Sequence, residues 1–306
     1  MAFDVTILGS GSAKPTRTRC PSAHAVFHGD RLFLVDCGEG TQMQMARCSI
    51  AIERVHSIFL THLHADHALG IFGLIASLSM SSRTAPLTVY AHGSFEPVFR
   101  QTVAFFVNRM SFELAFVPID SEANTVIYED NGITVTTVPL RHRVPTCGFI
   151  FREKPFPPNL KPGVVEDHHL SLAQIARLKE GQDIVLEDGE LLSAGECLYQ
   201  KRRPVSYAYL SDTLFTRRAI PMVEGVDLLY HEATYMADLL ALAKQTGHST
   251  TLQAAEFAKS AGAGKLIVGH YSARYTDLAP LLGEVRSVFQ NAVLAIEGQS
   301  HRVAWR

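Results

Sequence analysis

The sequence predicts an α/β protein with mixed sheets, and three observations carry that prediction. Short β-branched or apolar runs recur along the chain, segments with helical character lie between them, and the middle holds a hairpin signal. The hairpin argues against a purely parallel, doubly wound sheet. In chain order, the runs at 5–8, 32–35, 57–60 and 87–90 read as strands, with helices at 41–47, 67–80 and 95–108. Within 127–133, Asn131-Gly132 is a two-residue turn signal, and 134–138 follows as a strand. A helix at 170–180 precedes strands at 207–210, 228–230, 266–268 and 292–296. Further helices occupy 237–244, 252–261 and 278–288. The one at 252 has a start signal: Ser249 or Thr250 can cap it, and Ala254-Ala255-Glu256 continue it with good propensity.

Size and composition narrow the function classes. The chain has 306 residues, 47% hydrophobic and 19% charged, which fits a folded globular protein with ample core. The formal charge of -2 argues against a uniformly basic RNA coat protein. No apolar run approaches a membrane span, and the first residues lack a signal-peptide pattern. Five scattered cysteines, none in a C-x-x-C pair, fit neither a disulfide framework nor a zinc ribbon, so they read as buried structural thiols. A cytoplasmic location is expected. One domain spans 1–306, with an inserted arm or hairpin segment at 151–203 that opens on Lys154-Pro155-Phe156-Pro157-Pro158 and closes on Lys201-Arg202-Arg203-Pro204.

Chemistry concentrates in a few places. Gly9-Ser10-Gly11 follows a strand, but a dinucleotide loop would need glycine where Lys14 stands, so a tight turn between strands is the better reading. Thr61-His62-Leu63-His64-Ala65-Asp66-His67 follows the apolar run at 58–60. His62 and His64 project the same way only on extended backbone, because a helix would separate them by about 200°. Asp66 and His67 then stand at a helix start and can serve a second position. Imidazole with carboxylate suits zinc, with manganese or iron as alternatives. His142, Asp212 and His270 each follow a different predicted strand, which is how a fold brings distant residues to one rim. Together these are seven ligands, enough for two ions sharing a carboxylate.

These residues resemble the metallo-β-lactamase superfamily, whose marker is H-x-H-x-D-H with later His, Asp and His. The resemblance extends to the ribonuclease Z family of tRNA 3′-processing endonucleases. It is carried by Asp36-Cys37-Gly38-Glu39-Gly40-Thr41-Gln42, Ser211-Asp212-Thr213, His231-Glu232-Ala233-Thr234, Gly247-His248-Ser249-Thr250 and Gly269-His270-Tyr271-Ser272-Ala273-Arg274-Tyr275. These motifs run in the family's order over nearly the whole chain. The resemblance implies an αββα sandwich with two zinc ions at one edge of its sheets. His62, His64 and His142 would hold one ion, Asp66, His67 and His270 the other, and Asp212 would bridge them. Asp36 would orient ligands by hydrogen bonds.

The activity implied is removal of the 3′ trailer from precursor tRNA by metal-activated hydroxide attack on a phosphodiester. Asp66, Glu232 and His248 would be the catalytic residues, with His248 as general acid kept basic by Glu232. Arg274 is a candidate phosphate contact, and a homodimer without membrane attachment is implied. Two alternatives stay open: another hydrolase of the superfamily, either a phosphodiesterase or arylsulfatase-like, and a non-catalytic RNA-binding protein with structural zinc. Structural zinc sites are usually closed by four protein ligands, whereas seven ligands for two ions leave room for water.

The chain also departs from the family pattern. The opening Pro-x-x-x-Arg-Asn becomes Pro15 to Arg19 followed by Cys20, and the arm lacks the Gly-Pro tip that grips the tRNA body. The formal charge becomes +2 once two divalent ions are added to -2, and that charge sits where a phosphate would bind. Basic clusters at Lys14 to Arg19, Arg141 with Arg143, Lys201 to Arg203, and Arg217-Arg218 could supply local patches. His231, beside Glu232, has no chemistry of its own in this reading.

Overall fold

Strands form where the apolar runs fall, and most are apolar on both faces because both faces are covered. The computed structural model describes residues 2–81 and 83–304. Its two large sheets use fourteen strands. The first six are β1 (Phe3–Gly9), β2 (Ala23–His28), β3 (Arg31–Val35), β4 (Val55–Phe59), β5 (Leu87–His92) and β6 (Leu114–Ile119). β7 (Val126–Glu129), β8 (Ile133–Pro139), β9 (Cys147–Glu153) and β10 (Ser206–Leu210) follow. The last are β11 (Leu228–Glu232), β12 (Lys265–Gly269), β13 (Ala292–Leu294) and β14 (Ser300–Arg302). The first sheet has the order β14-β1-β2-β3-β4-β5-β6 and the second β13-β12-β11-β10-β9-β8-β7. Both are mixed: β1, β2 and β3 pair antiparallel while β3 to β6 run parallel, and β10 pairs antiparallel with β9 but parallel with β11.

Period-two alternation assigns each residue to a layer. Phe33, Val35, Tyr207, Tyr209 and Ile267 join the core between the sheets. Their neighbours point outward: Leu32 and Leu34 into one helix-covered core, Ala208, Leu210, Leu266 and Val268 into another. The covering helices are α1 (Thr41–Arg47), α2 (Ala65–Ala68), α3 (Gly70–Met80), α4 (Glu96–Phe106), α5 (Leu240–Thr246), α6 (Thr251–Ser260) and α7 (Ala279–Val288). α3 buries Ile71, Leu74, Ile75 and Leu78, the i, i+3, i+4, i+7 stripe of an amphipathic helix. Thr250 caps α6 in a reciprocal capping box with Gln253. Four layers, αββα, result. Each fully buried large aliphatic or aromatic side chain contributes about 1.5–3 kcal/mol to holding them together.

Four strands, β2, β6, β9 and β14, are absent from the expectation. The predicted tight turn at Gly9 is in fact the start of the loop 10–22 before β2. Gly9 is required there by close approach, since a Cβ would fall 1.6 Å from the Pro21 carbonyl oxygen. The expected helix at 67–80 is two helices, α2 and α3. Cys37, Cys147 and Cys197 are buried thiols, whereas Cys20 and Cys48 are half-buried.

Residues Glu153–Pro204 form a compact unit of their own. It holds short helices at Val164–Asp167, Leu172–Lys179 and Ala194–Cys197, the second capped by Ser171 and Gln174. Two short ladders pair Asn159–Leu160 with Leu198–Tyr199 and Ile184–Val185 with Leu191–Leu192. Its core is small: Leu170, Leu178, Ile184, Leu192, Ala194 and Cys197. Among the described residues no helix is long and apolar enough to cross a membrane.

Candidate metal centre

Strand ends in the large unit deliver the ionisable residues to one rim. Asp36 follows β3, His62 and His64 follow β4, and Asp66 and His67 lie in α2. His142 comes after β8, Asp212 after β10 and His270 directly after β12, while Glu232 ends β11. His64 has extended backbone, as two ligands spaced by one residue require. Asp36, Asp212 and His270 all have left-handed backbone, with φ of 59°, 56° and 59°. That conformation costs a non-glycine residue about 1–2 kcal/mol, so the surrounding fold must impose it. In each case it turns a side chain off the strand end toward the rim.

The donor atoms fall into two sets, with a third grouping of Asp212, His248 and His270 overlapping both. His62, His64, His142 and Asp212 bring one ligand atom each to within 4.8 Å of one another, and so do Asp66, His67 and His270. Asp212 faces both sets. Its Oδ2 lies 3.6 Å from His62 Nε2 and 3.8 Å from His142 Nε2. Its Oδ1 lies 3.2 Å from both His67 Nε2 and His270 Nε2. Asp66 Oδ2 is 3.6 Å from each of those two nitrogens.

Hydrogen bonds behind the rings fix the tautomers. His67 Nδ1 donates to Asp36 Oδ2 at 2.7 Å, and His142 Nδ1 donates to the Gly247 carbonyl at 2.8 Å. Thr234 gives its own hydroxyl proton to Glu232 Oε2 at 2.5 Å, so His270 Nδ1 donates to Thr234 Oγ1 at 2.9 Å. Thr61 likewise donates to Asp36, so His62 Nδ1 donates to Thr61 Oγ1 at 3.0 Å. Four Nε2 atoms therefore point inward beside two carboxylates, and Asp212 and Asp36 favour the protonated form of the buried His67 in the absence of a cation. His142 Nε2 is buried without any hydrogen-bond partner. Imidazole nitrogens and carboxylates converging on one rim fit a divalent cation, and five imidazoles with two carboxylates suit zinc. Gly247 matters here: its φ is +83°, and a Cβ would come 2.7 Å from His142 Nδ1.

Ionisation follows the same geometry. Burial, aided by the charge of neighbouring His67, holds His62 well below the usual histidine range. Burial also lowers His64 and His142, and neutral imidazole is the ligating form. Burial alone would raise Asp212, but His270, His67 and His62 hold it well below the usual carboxylate range. Asp66 is lowered despite burial by His270 and His67, and the Ala13 backbone N–H donates to its Oδ2 at 2.7 Å.

His248 stands apart from these ligand sets in its environment. Its Nδ1 lies 3.0 Å from Glu232 Oε1, and that oxygen also accepts from the Thr213 N–H at 2.7 Å. Burial disfavours charge on His248, but the Glu232 carboxylate overrides it and pushes the imidazole up to about 9. The His248 ring lies 5.2 Å from that of His142 and 5.3 Å from that of His270. A cavity of about 210 Å³ opens here, lined by His64, Asp66, Asp212, His248 and His270 together with Ser12, Ala13, Arg143 and Tyr235. Arg274 is exposed and packs over the Tyr235 ring at 5.2 Å. His231 is buried, with Nδ1 donating to the Glu232 carbonyl at 2.7 Å.

Several contributors escape sequence reasoning. Ala13 acts through a backbone N–H, and Gly247 through a carbonyl, so neither leaves a side-chain signature. Tyr209 donates to Asp36 Oδ2 at 3.0 Å from a strand read only as apolar. Thr61 and Thr234 lay inside quoted motifs, but their roles emerge only from the fold.

Comparison with known proteins places this geometry in context. Residues 3–197 match the family described as Anti-Pycsar protein Apyc1. Over 295 residues the chain is 39% identical to ribonuclease Z of Phocaeicola vulgatus, covering 96% of each chain. The crystal structure of the short form of human tRNase Z matches with a TM-score of 0.70 and 24% identity, over 99% of this chain and 100% of that one. The metallo-β-lactamase-fold protein YhfI from Bacillus subtilis also gives 0.70, at 20% identity and over 99% and 100% of the respective chains. The αββα architecture described above is the metallo-β-lactamase fold.

Proposed function

The chain belongs to the ribonuclease Z family and to the family described as Anti-Pycsar protein Apyc1, and from that premise we propose that it is a metal-dependent endoribonuclease that removes the 3′ trailer from precursor tRNA. The observation that carries this reading is the placement of His248, held by Glu232, in the same cavity as two ligand sets that meet at Asp212. His62, His64 and His142 would hold one zinc ion, Asp66, His67 and His270 a second, and Asp212 both, with manganese or iron as alternatives. When bound, such ions neutralise charge on the phosphate oxygens and lower the pKa of water.

The protein's own groups divide the remaining work. Asp66, kept ionised by His270 and His67, accepts a hydrogen bond from the attacking water and orients it. The Ala13 N–H fixes which way that carboxylate faces. On the other side, a ribose 3′ oxygen is a poor leaving group unless it receives a proton. With Nδ1 committed to Glu232, His248 presents Nε2 to the cavity and gives its proton there. Glu232 stabilises the charged imidazole before transfer, and through Thr234 it also orients His270. Arg274, on the Tyr235 ring at the cavity wall, is placed to contact a substrate phosphate.

Glu153–Pro204, a compact unit of its own, would be the arm expected at 151–203, shortened or differently built relative to the family's. A homodimer in the cytoplasm is the state the resemblance implies; sedimentation velocity reads the first point directly. The decisive experiment incubates zinc-loaded protein with a 3′-extended precursor tRNA and maps the product ends. A single endonucleolytic cut at the 3′ end of the acceptor stem is expected. Hydrolysis of a p-nitrophenyl phosphodiester without any cut in the precursor would instead support a small-molecule phosphodiesterase.

A further inference from the structure

A second concavity, of about 400 Å³, adjoins the metal cavity and shares His142 and Arg143 with it. Its other polar lining includes Arg141, Arg218, Thr216 and Glu122. Three arginines therefore line one groove, with Glu122 the one acidic residue among its lining. None of the three has an ion-pair partner among the described residues. Like charges gathered without counterions repel one another, and an anion in the groove relieves that repulsion. Planar guanidiniums are suited to phosphate because they offer paired donors in a fixed fork.

The groove is also tied to the ligands. The Leu214 N–H donates to the Arg141 carbonyl at 2.8 Å, and the Arg141 N–H donates to Thr213 Oγ1 at 3.1 Å. His142 and Asp212, the neighbours of these residues in sequence, are thus held in register with the groove walls. An anion bound in the groove is positioned relative to the metal cavity by backbone hydrogen bonds.

We propose that the Arg141–Arg143–Arg218 groove binds a backbone phosphate of the RNA chain next to the scissile one, and so sets which phosphodiester enters the metal cavity. This rests on the endoribonuclease reading above and deepens it: the groove selects a polynucleotide over a small diester. Glu122 opposes the phosphate and limits how tightly the RNA is held.

The test measures KM and kcat for a 3′-extended precursor tRNA at several salt concentrations. Wild type, Arg141→Ala, Arg218→Ala, Arg141→Lys, Arg218→Lys and Glu122→Gln are compared, with circular dichroism confirming the fold. Each arginine-to-alanine change should raise KM about fivefold or more, with kcat altered much less. It should also flatten the dependence of log affinity on log salt by about 0.7–1. The lysine variants should restore the salt slope, which repair of a folding lesion would not explain. Glu122→Gln should lower KM. Unchanged KM and slope in the alanine variants, or Glu122→Gln moving the same way as they do, would overturn the proposal. If wild type cuts no precursor tRNA, the functional reading fails by itself. The groove is then judged by the salt slope for binding a short single-stranded oligoribonucleotide, where loss of slope in the alanine variants supports it and no loss overturns it.

Discussion

Around Asp212 the ligand histidines and carboxylates are buried or half-buried and most are held from behind by a named hydrogen bond, whereas between residues 166 and 196 the charged side chains are exposed. In that stretch eight carboxylates stand against Arg177 and Lys179, a net charge of -6, while the flanks of the same unit carry Lys154, Lys161, Lys201, Arg202 and Arg203 and bring Glu153–Pro204 as a whole to -2. The rim rests on three large hydrophobic cores, the arm on a core of six buried residues. The difference teaches where recognition of a polyanion can reside. A segment with that excess of negative charge repels RNA, while the unpaired arginines of the large unit attract it. The resemblance leads one to expect an arm that grips the tRNA body; under the groove proposal above, that task would fall to the large unit instead.

The largest effect expected from breaking this contrast is at His64. His64→Ala removes an imidazole from the first ligand set, and metal affinity should fall beyond the ~10–100-fold typical of losing an outer partner. Metal analysis after dialysis should show a depleted site, with loss of turnover on every substrate. Full occupancy with full activity would remove His64 from the ligand set and leave the rim without its claimed unity.

His248→Ala should be next in size and different in kind. Metal content should stay at the wild-type level while kcat on precursor tRNA falls about 10²–10⁴-fold. A p-nitrophenyl leaving group needs no proton, so its hydrolysis should fall far less. Equal losses on both substrates would mean that His248 supports the site's structure and does not protonate the leaving oxygen.

How much of this contrast could be read without the fold depends on distance along the chain. His62, His64, Asp66 and His67 lie within six residues, so their spacing alone reports an extended turn entering a helix. His142, Asp212 and His270 were found because each follows an apolar run that ends at the rim. The supports were hidden, since Tyr209 reaches Asp36 across the sandwich and the Ala13 contact to Asp66 uses only backbone. Strand β6 was missed because Pro118 interrupts it, which is tolerated only at a sheet edge, where β6 lies. Strand β2 is hidden because His24 and His28 break up its apolar run. His24 is fully buried and lies 2.7 Å from the Tyr207 hydroxyl through its Nδ1. Burial pushes its imidazole down to about 3, so it counts as a neutral core residue.

The smallest effect should come from the arm, and it tests the contrast most directly. Glu187, Asp188 and Glu190 are exposed near the hairpin that joins Ile184–Val185 to Leu191–Leu192. Replacing them with Gln, Asn and Gln removes three negative charges without touching the arm's core. If the arm only repels RNA, KM for precursor tRNA should drop about two- to threefold at low salt and return to the wild-type value near 0.5 M salt, because exposed charges are screened. Metal content should not change. A rise in KM of tenfold would show these carboxylates organising a tRNA contact, and RNA recognition would then have to be shared between the arm and the arginine groove.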